Sequence, residues 1–170
     1  MGGKICQELA LGWPARVGRV VLGCTSAGED HRVEGRQPSR LRAMQGLDAE
    51  GFLDKIVPLL FGTRYREAND KAMRAFARSR ERRPPDARAL ALQWDAYDGF
   101  DSWDRLPKLE HATLCITGDE DELCDWRNSE RLAQRIPRAQ LVLVPGTGHS
   151  FHLEDADVVN RAVREFLLEA

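Results

Sequence analysis

The sequence predicts an α/β protein whose strand–helix alternation is interrupted by an all-helical insertion over residues 26–99. Two observations carry this. ATLCIT at 112–117 and QLVLV at 140–144 are short apolar runs closed by Gly118 and by Pro145-Gly146, the pattern of parallel strands buried on both faces. Each is followed by a segment with apolar residues at helical spacing. Composition agrees: 170 residues with 42% hydrophobic and 31% charged fit one domain or part of one, and not a disordered chain. Lys plus Arg is 25 against 27 for Asp plus Glu, a formal charge of −2, so no basic field points to nucleic acid or an anionic membrane.

The elements follow in order. KICQELALGW reads as a helix with Ile5, Cys6, Leu9 and Ala10 on one face, ended by Gly12 and Pro14. Residues 16–23 read as a β-rich strand bounded by glycines. Gly28, Gly35 and Pro38 mark a loop, after which Phe52, Leu53, Ile56, Leu59 and Leu60 mark a helical face. Two further helices are expected at 65–79 and 86–98, split by Pro84-Pro85. Residues 64–88 hold nine basic and four acidic residues; with aromatic interleaving thin, they read as a solvated helix face rather than a nucleic-acid patch. After the strand at 112–117 come a helix at 127–135, the strand at 140–144, and a last helix at 157–168 with Val158, Val159, Ala162, Val163, Phe166 and Leu167 turned inward.

No apolar run reaches the roughly 18 residues of a membrane span, and no secretory signal pattern is present, so a cytoplasmic protein is expected. Cys6, Cys24, Cys115 and Cys124 form no C-x-x-C pair, and His31, His111, His149 and His152 do not stand near them at zinc-ligand spacing. Reduced, mostly buried thiols are expected, with no metal and no cofactor. The ladder Asp95, Asp98, Asp101, Asp104 reads as a solvated face leading into a loop rather than a calcium loop, and His152 as a packing or capping residue.

In open parallel sheets, chemistry gathers at the carboxyl ends of strands. Here the strand at 112–117 runs into Gly118-Asp119-Glu120-Asp121-Glu122, and the strand at 140–144 into Gly146-Thr147-Gly148-His149. A carboxylate and an imidazole on neighbouring strand ends can hydrogen-bond, which fixes the ring tautomer for proton transfer. The 28 residues between Asp121 and His149 fit a loop, one helix and one strand.

The turns Gly118-Asp119-Glu120-Asp121 and Gly148-His149 resemble those after the seventh and eighth strands of the α/β-hydrolase superfamily. Ile136-Pro137-Arg138-Ala139 and Arg105-Leu106-Pro107 resemble it too, while Ala112 departs from a common proline. The resemblance covers residues 1–25 and 100–170 as hydrolase core, the C-terminal part of the sheet with about three strands, and leaves 26–99 as the family's variable helical cap. Met1-Gly2-Gly3 is similar to the residues just after the serine of the nucleophile elbow. The resemblance therefore implies a chain beginning one residue past its nucleophile, with Asp121 and His149 as catalytic residues and the Met1 backbone N–H as an oxyanion donor. It further implies a small ester or lactone as substrate of the parent enzyme, in the enol-lactonase-like and esterase-like branch. A catalytically inactive remnant, or a small-molecule binding protein using the capped pocket, is the rival reading. Ser26, in Cys24-Thr25-Ser26-Ala27-Gly28, and Cys24 are the alternative nucleophiles within the chain. Self-association through an exposed edge of the strand at 16–22, with Ile5 and Leu9 uncovered, is expected.

Overall fold

A computed structural model describes residues 1–28, 47–82 and 86–168. Gly35, Pro38, His31 and the Pro84-Pro85 break lie outside the described residues. Helix α1 (Gly2–Gly12) leads through a 3-10 turn (Pro14–Arg16) into strand β1 (Val20–Gly23). Among the described residues five helices follow: α2 (Ala49–Lys55), α3 (Val57–Leu60), α4 (Thr63–Ala68), α5 (Asp70–Arg82) and α6 (Ala87–Asp98). A second 3-10 segment (Trp103–Lys108) precedes β2 (Thr113–Gly118), α7 (Arg127–Arg135), β3 (Ala139–Val144), α8 (Phe151–Glu154) and α9 (Ala156–Leu168).

The three strands form one parallel sheet in the order β1-β2-β3, with Val20 opposite Thr113 and Thr113 opposite Ala139. Every residue of β2 is buried, because it is paired on both edges and covered on both faces. Alternation along the strands sends Val20, Leu22 and Cys115 to one face, where they pack with Ala10 of α1 and Leu132 of α7. Leu114, Ile116 and Val144 go to the other, against Phe151, Val159 and Phe166. Helices α2 to α5 hold a separate cluster of Phe52, Ile56, Val57, Phe61, Met73 and Ala77. Asp48 and Asp86 cap α2 and α6 by accepting the Gly51 and Ala89 N–H groups.

Several expectations need correction. The strand at 16–23 is shorter, because Pro14 starts a 3-10 turn that runs to Arg16. The helix expected at 65–79 is two, divided at Asn69, whose side chain donates back to the Tyr65 carbonyl. Helix α1 buries Ala10 as expected, but its other inward residues are Lys4 and Gln7. Gln7 Nε2 donates to the carbonyls of Gly3 and Ser26 while its Oε1 accepts from Ser102. Lys4 Nζ donates to the Tyr97 carbonyl at 2.8 Å and sits 3.4 Å from the Tyr97 ring centroid. Ile5 and Leu9 are 52% and 47% exposed. Leu167 is exposed rather than inward. Of four free cysteines only Cys115 is fully buried; Cys6 is exposed. Asp95 and Asp98 lie on α6 and Asp101 and Asp104 follow its end, so the ladder runs from a helix into the segment after it, as expected. His152 is exposed, edge-on to Phe151.

Candidate active site

Two turns at the carboxyl ends of β2 and β3 are built against each other. A Cβ on Gly118 would stand 2.1 Å from the Thr147 carbonyl oxygen, so only glycine permits this approach. Gly146 has φ +67°, the left-handed region, and redirects the chain after β3. Asp119 Oδ1 accepts the Gly146 N–H at 2.6 Å, and the Glu120 N–H donates to Thr147 at 2.9 Å. Asp119 therefore pins the turn, and the residue two places on faces the imidazole.

That residue is Asp121. Its Oδ2 lies 2.9 Å from His149 Nδ1, while Oδ1 accepts the N–H groups of Leu123 and Cys124 at 2.9 and 2.8 Å. The Asp121 side chain is fully buried and that of His149 is 30% exposed, so one end of the ring is fixed and the other meets solvent. Such a pair holds the imidazole with Nδ1 protonated and Nε2 free to take a proton.

The loop carrying His149 is held to the helical layer. Glu154 Oε1 accepts the Gly148 N–H and Oε2 the Gly62 N–H, both at 2.9 Å, and the Ser150 N–H donates to Leu60 at 2.7 Å. Burial pushes the Glu154 carboxyl above its ordinary value, and the two N–H donors only partly offset this. A cleft of ≈ 370 Å³ beside Asp121 is lined by Phe61, Thr63 and Arg66 from the helical layer and by Trp126 and Arg127.

Met1 stands at the start of α1, its carbonyl accepting from Lys4 and Ile5. A Cβ on Gly3 would meet Thr25 at 2.5 Å, which sets the start of α1 against the loop after β1, the third strand end. Ser26 is 2% exposed, with its carbonyl bound by Gln7, a poor setting for attack on a substrate. Cys24 has φ +46° and lies 3.4 Å from Thr117 Oγ1. Burial and the Asp121 carboxylate push its thiol far up, the reverse of an activated nucleophile. Sequence spacing missed that Cys24 joins this group: ligand atoms of Cys24, Asp121 and His149 all lie within 4.8 Å of one another. The strand-end rule that selected Asp121 and His149 would also have selected Cys24, the residue just past the glycine that ends β1.

A doubly covered parallel sheet with an acid–imidazole pair at adjacent strand ends defines an α/β protein of the hydrolase type. The chain belongs to the alpha/beta hydrolase family, whose family model matches residues 1–162. It is similar to a poly(3-hydroxyalkanoate) depolymerase of Ectopseudomonas oleovorans, 28% identical over 98% of this chain and 58% of that protein. A proline iminopeptidase of Pestalotiopsis fici is 27% identical over 98% of this chain and 64% of its own length. Among solved structures, the enol-lactonase from Burkholderia xenovorans aligns with a TM-score of 0.81 and 27% identity, covering 99% of this chain and 63% of that one. The chain thus spans less than two thirds of the length of these relatives. Among the described residues no helix is long and apolar enough to cross a membrane.

Proposed function

We propose that the parent activity is hydrolysis of a carboxylic ester or lactone through a serine acyl-enzyme, with Asp121 orienting His149 as general base and then general acid. The observation that carries this reading is the 2.9 Å contact between Asp121 Oδ2 and His149 Nδ1 at two adjacent strand ends. The serine is supplied from the position preceding Met1 in a longer parent, and the Met1 N–H is one oxyanion donor. Helices α2 to α6 act as the cap that shapes the substrate cleft beside Asp121. The names of a depolymerase and an enol-lactonase among the relatives support this substrate class.

On this reading the 170-residue chain alone hydrolyses p-nitrophenyl acetate near background, and a version extended upstream through Gly-x-Ser gains turnover that His149→Ala removes. Robust hydrolysis by the unextended chain that disappears in Ser26→Ala would overturn it. A second reading, a non-catalytic protein that self-associates, is favoured by a specific feature. The outer edge of β1 has no strand beside it among the described residues, and Ile5 and Leu9 lie exposed on the neighbouring helix. Sedimentation at several concentrations separates a monomer from an edge-paired dimer.

A further inference from the structure

The meeting of Cys24, Asp121 and His149 has a chemistry that proton transfer does not use. Each residue lies in the turn after a different strand, and one sulfur, one carboxylate oxygen and one imidazole nitrogen lie within 4.8 Å of one another. Asp121 Oδ1 is committed to two backbone N–H groups, which leaves Oδ2 as the oxygen facing His149 Nδ1. The Cys24 sulfur is held toward this group by a backbone in the left-handed region, which a non-glycine residue rarely adopts. We propose that Cys24, Asp121 and His149 form a three-ligand site for a divalent cation of the zinc class, with the fourth position open.

The donor set selects the cation. Thiolate, imidazole and carboxylate together suit zinc, whereas calcium and magnesium call for oxygen ligands. Three protein ligands with one open position is the common arrangement of accessible zinc sites. Metal–ligand bonds of about 2.0–2.3 Å in a tetrahedron set ligand separations of roughly 3.3–3.8 Å, so the widest pair closes by about 1 Å. Asp121 and His149 already stand 2.9 Å apart, so the wide separations are to the Cys24 sulfur, and closure falls to that side chain while Asp121 stays fixed by its backbone donors.

Charge and protons balance. The cation displaces the thiol proton to solvent, and the imidazole proton passes from Nδ1 to Nε2 as Nδ1 takes the metal. Thiolate and carboxylate then neutralise the two positive charges. Burial and Asp121, which keep the sulfur protonated in the free protein, are both countered by the incoming charge. If His149 serves as the base proposed above, the cation inhibits, because Nε2 then carries the proton it should accept. The binding itself does not depend on that reading.

Binding is measured on the Cys6→Ser chain, which lacks the exposed thiol, by zinc titration calorimetry, zinc X-ray absorption and imidazole ¹⁵N spectra. One zinc per chain is expected, with one sulfur at about 2.3 Å and nitrogen or oxygen at about 2.0–2.2 Å. His149, and not His152, should change to the Nε2–H tautomer. Loss of an outer-shell partner alone costs about 10–100-fold in metal affinity, so Cys24→Ser should weaken zinc by at least about 100-fold, and Cys124→Ser far less. A shell without sulfur, a tautomer change at His152 only, or unchanged affinity in Cys24→Ser would each overturn the site. The spectroscopic results come from a chain with Cys24 in place, so a failure of the Cys24→Ser chain to fold leaves them decisive.

Discussion

The two sides of the sheet are finished differently. Around β2 and β3 both faces are covered, by α7 on one side and α9 on the other, and the strand-end turns lock together through Gly118, Asp119 and Thr147. Among the described residues both β1 and β3 have an unpaired outer edge; what sets the β1 side apart is that α1 turns Ile5 and Leu9 to solvent while burying a lysine and a glutamine. The contrast shows where precision is required. Asp121 and His149 belong to the covered side, whose packing fixes them to within a hydrogen bond. The open flank contributes Cys24 and Met1, whose placement rests on local turns.

Substitutions sharpen that comparison. Leu114→Ala, in the middle of the fully buried strand, is expected to cost about 2–5 kcal/mol in urea unfolding. A loss below about 1 kcal/mol would mean that the covered side is loosely packed. Gly118→Ala forces a methyl into the Thr147 carbonyl; it should cost about 1–3 kcal/mol or more and separate Asp121 from His149, visible as a lost downfield Nδ1 proton. Retention of that signal would show that the two turns move independently.

Glu154→Gln leaves the Gly62 or Gly148 N–H facing an amide donor, a cost of about 1–3 kcal/mol. It should also change the pH dependence. Because the folded state holds this carboxyl above its ordinary value of 4.5, the folded chain binds the proton more tightly than the unfolded one. Its contribution is therefore greatest below 4.5 and declines as pH rises through the raised value, a slope that Glu154→Gln should flatten. An unchanged slope would assign the titration elsewhere. Smallest of all, Leu9→Glu on the open flank should change stability by no more than about 0.5 kcal/mol while reducing self-association. A loss of several kcal/mol would show that Leu9 is covered in solution.

The same contrast decides what could be read from the chain beforehand. The strands around Leu114 and Leu141 were legible as uninterrupted apolar runs, but only the first is buried on both faces, since Leu143 of β3 is exposed; the Asp121–His149 pairing was legible because each follows such a run through glycine. Lys4 and Gln7 were not legible as core residues. Their partners Tyr97, Ser26 and Ser102 are distant in sequence, and nothing in a helical period announces a buried lysine satisfied by a carbonyl and a ring. Cys24 escaped for a related reason, since ligand spacing along the chain cannot register three residues delivered by three strands. Glu154 was not legible as a clasp, because that role depends on Gly62, which arrives from the helical layer.

The way Asp121 is held bears on how its neighbourhood can vary. Its Oδ1 is gripped by the main-chain N–H groups of Leu123 and Cys124, and main chain is common to every residue but proline. The side chains at 122, 123 and 124 are thus released from the duty of positioning the acid. A library randomised at these three positions should return nearly every residue type among folded clones, with proline depleted at 123 and 124 and tolerated at 122. Drift in this loop can retune the rim of the neighbouring cleft while the carboxylate stays where it is.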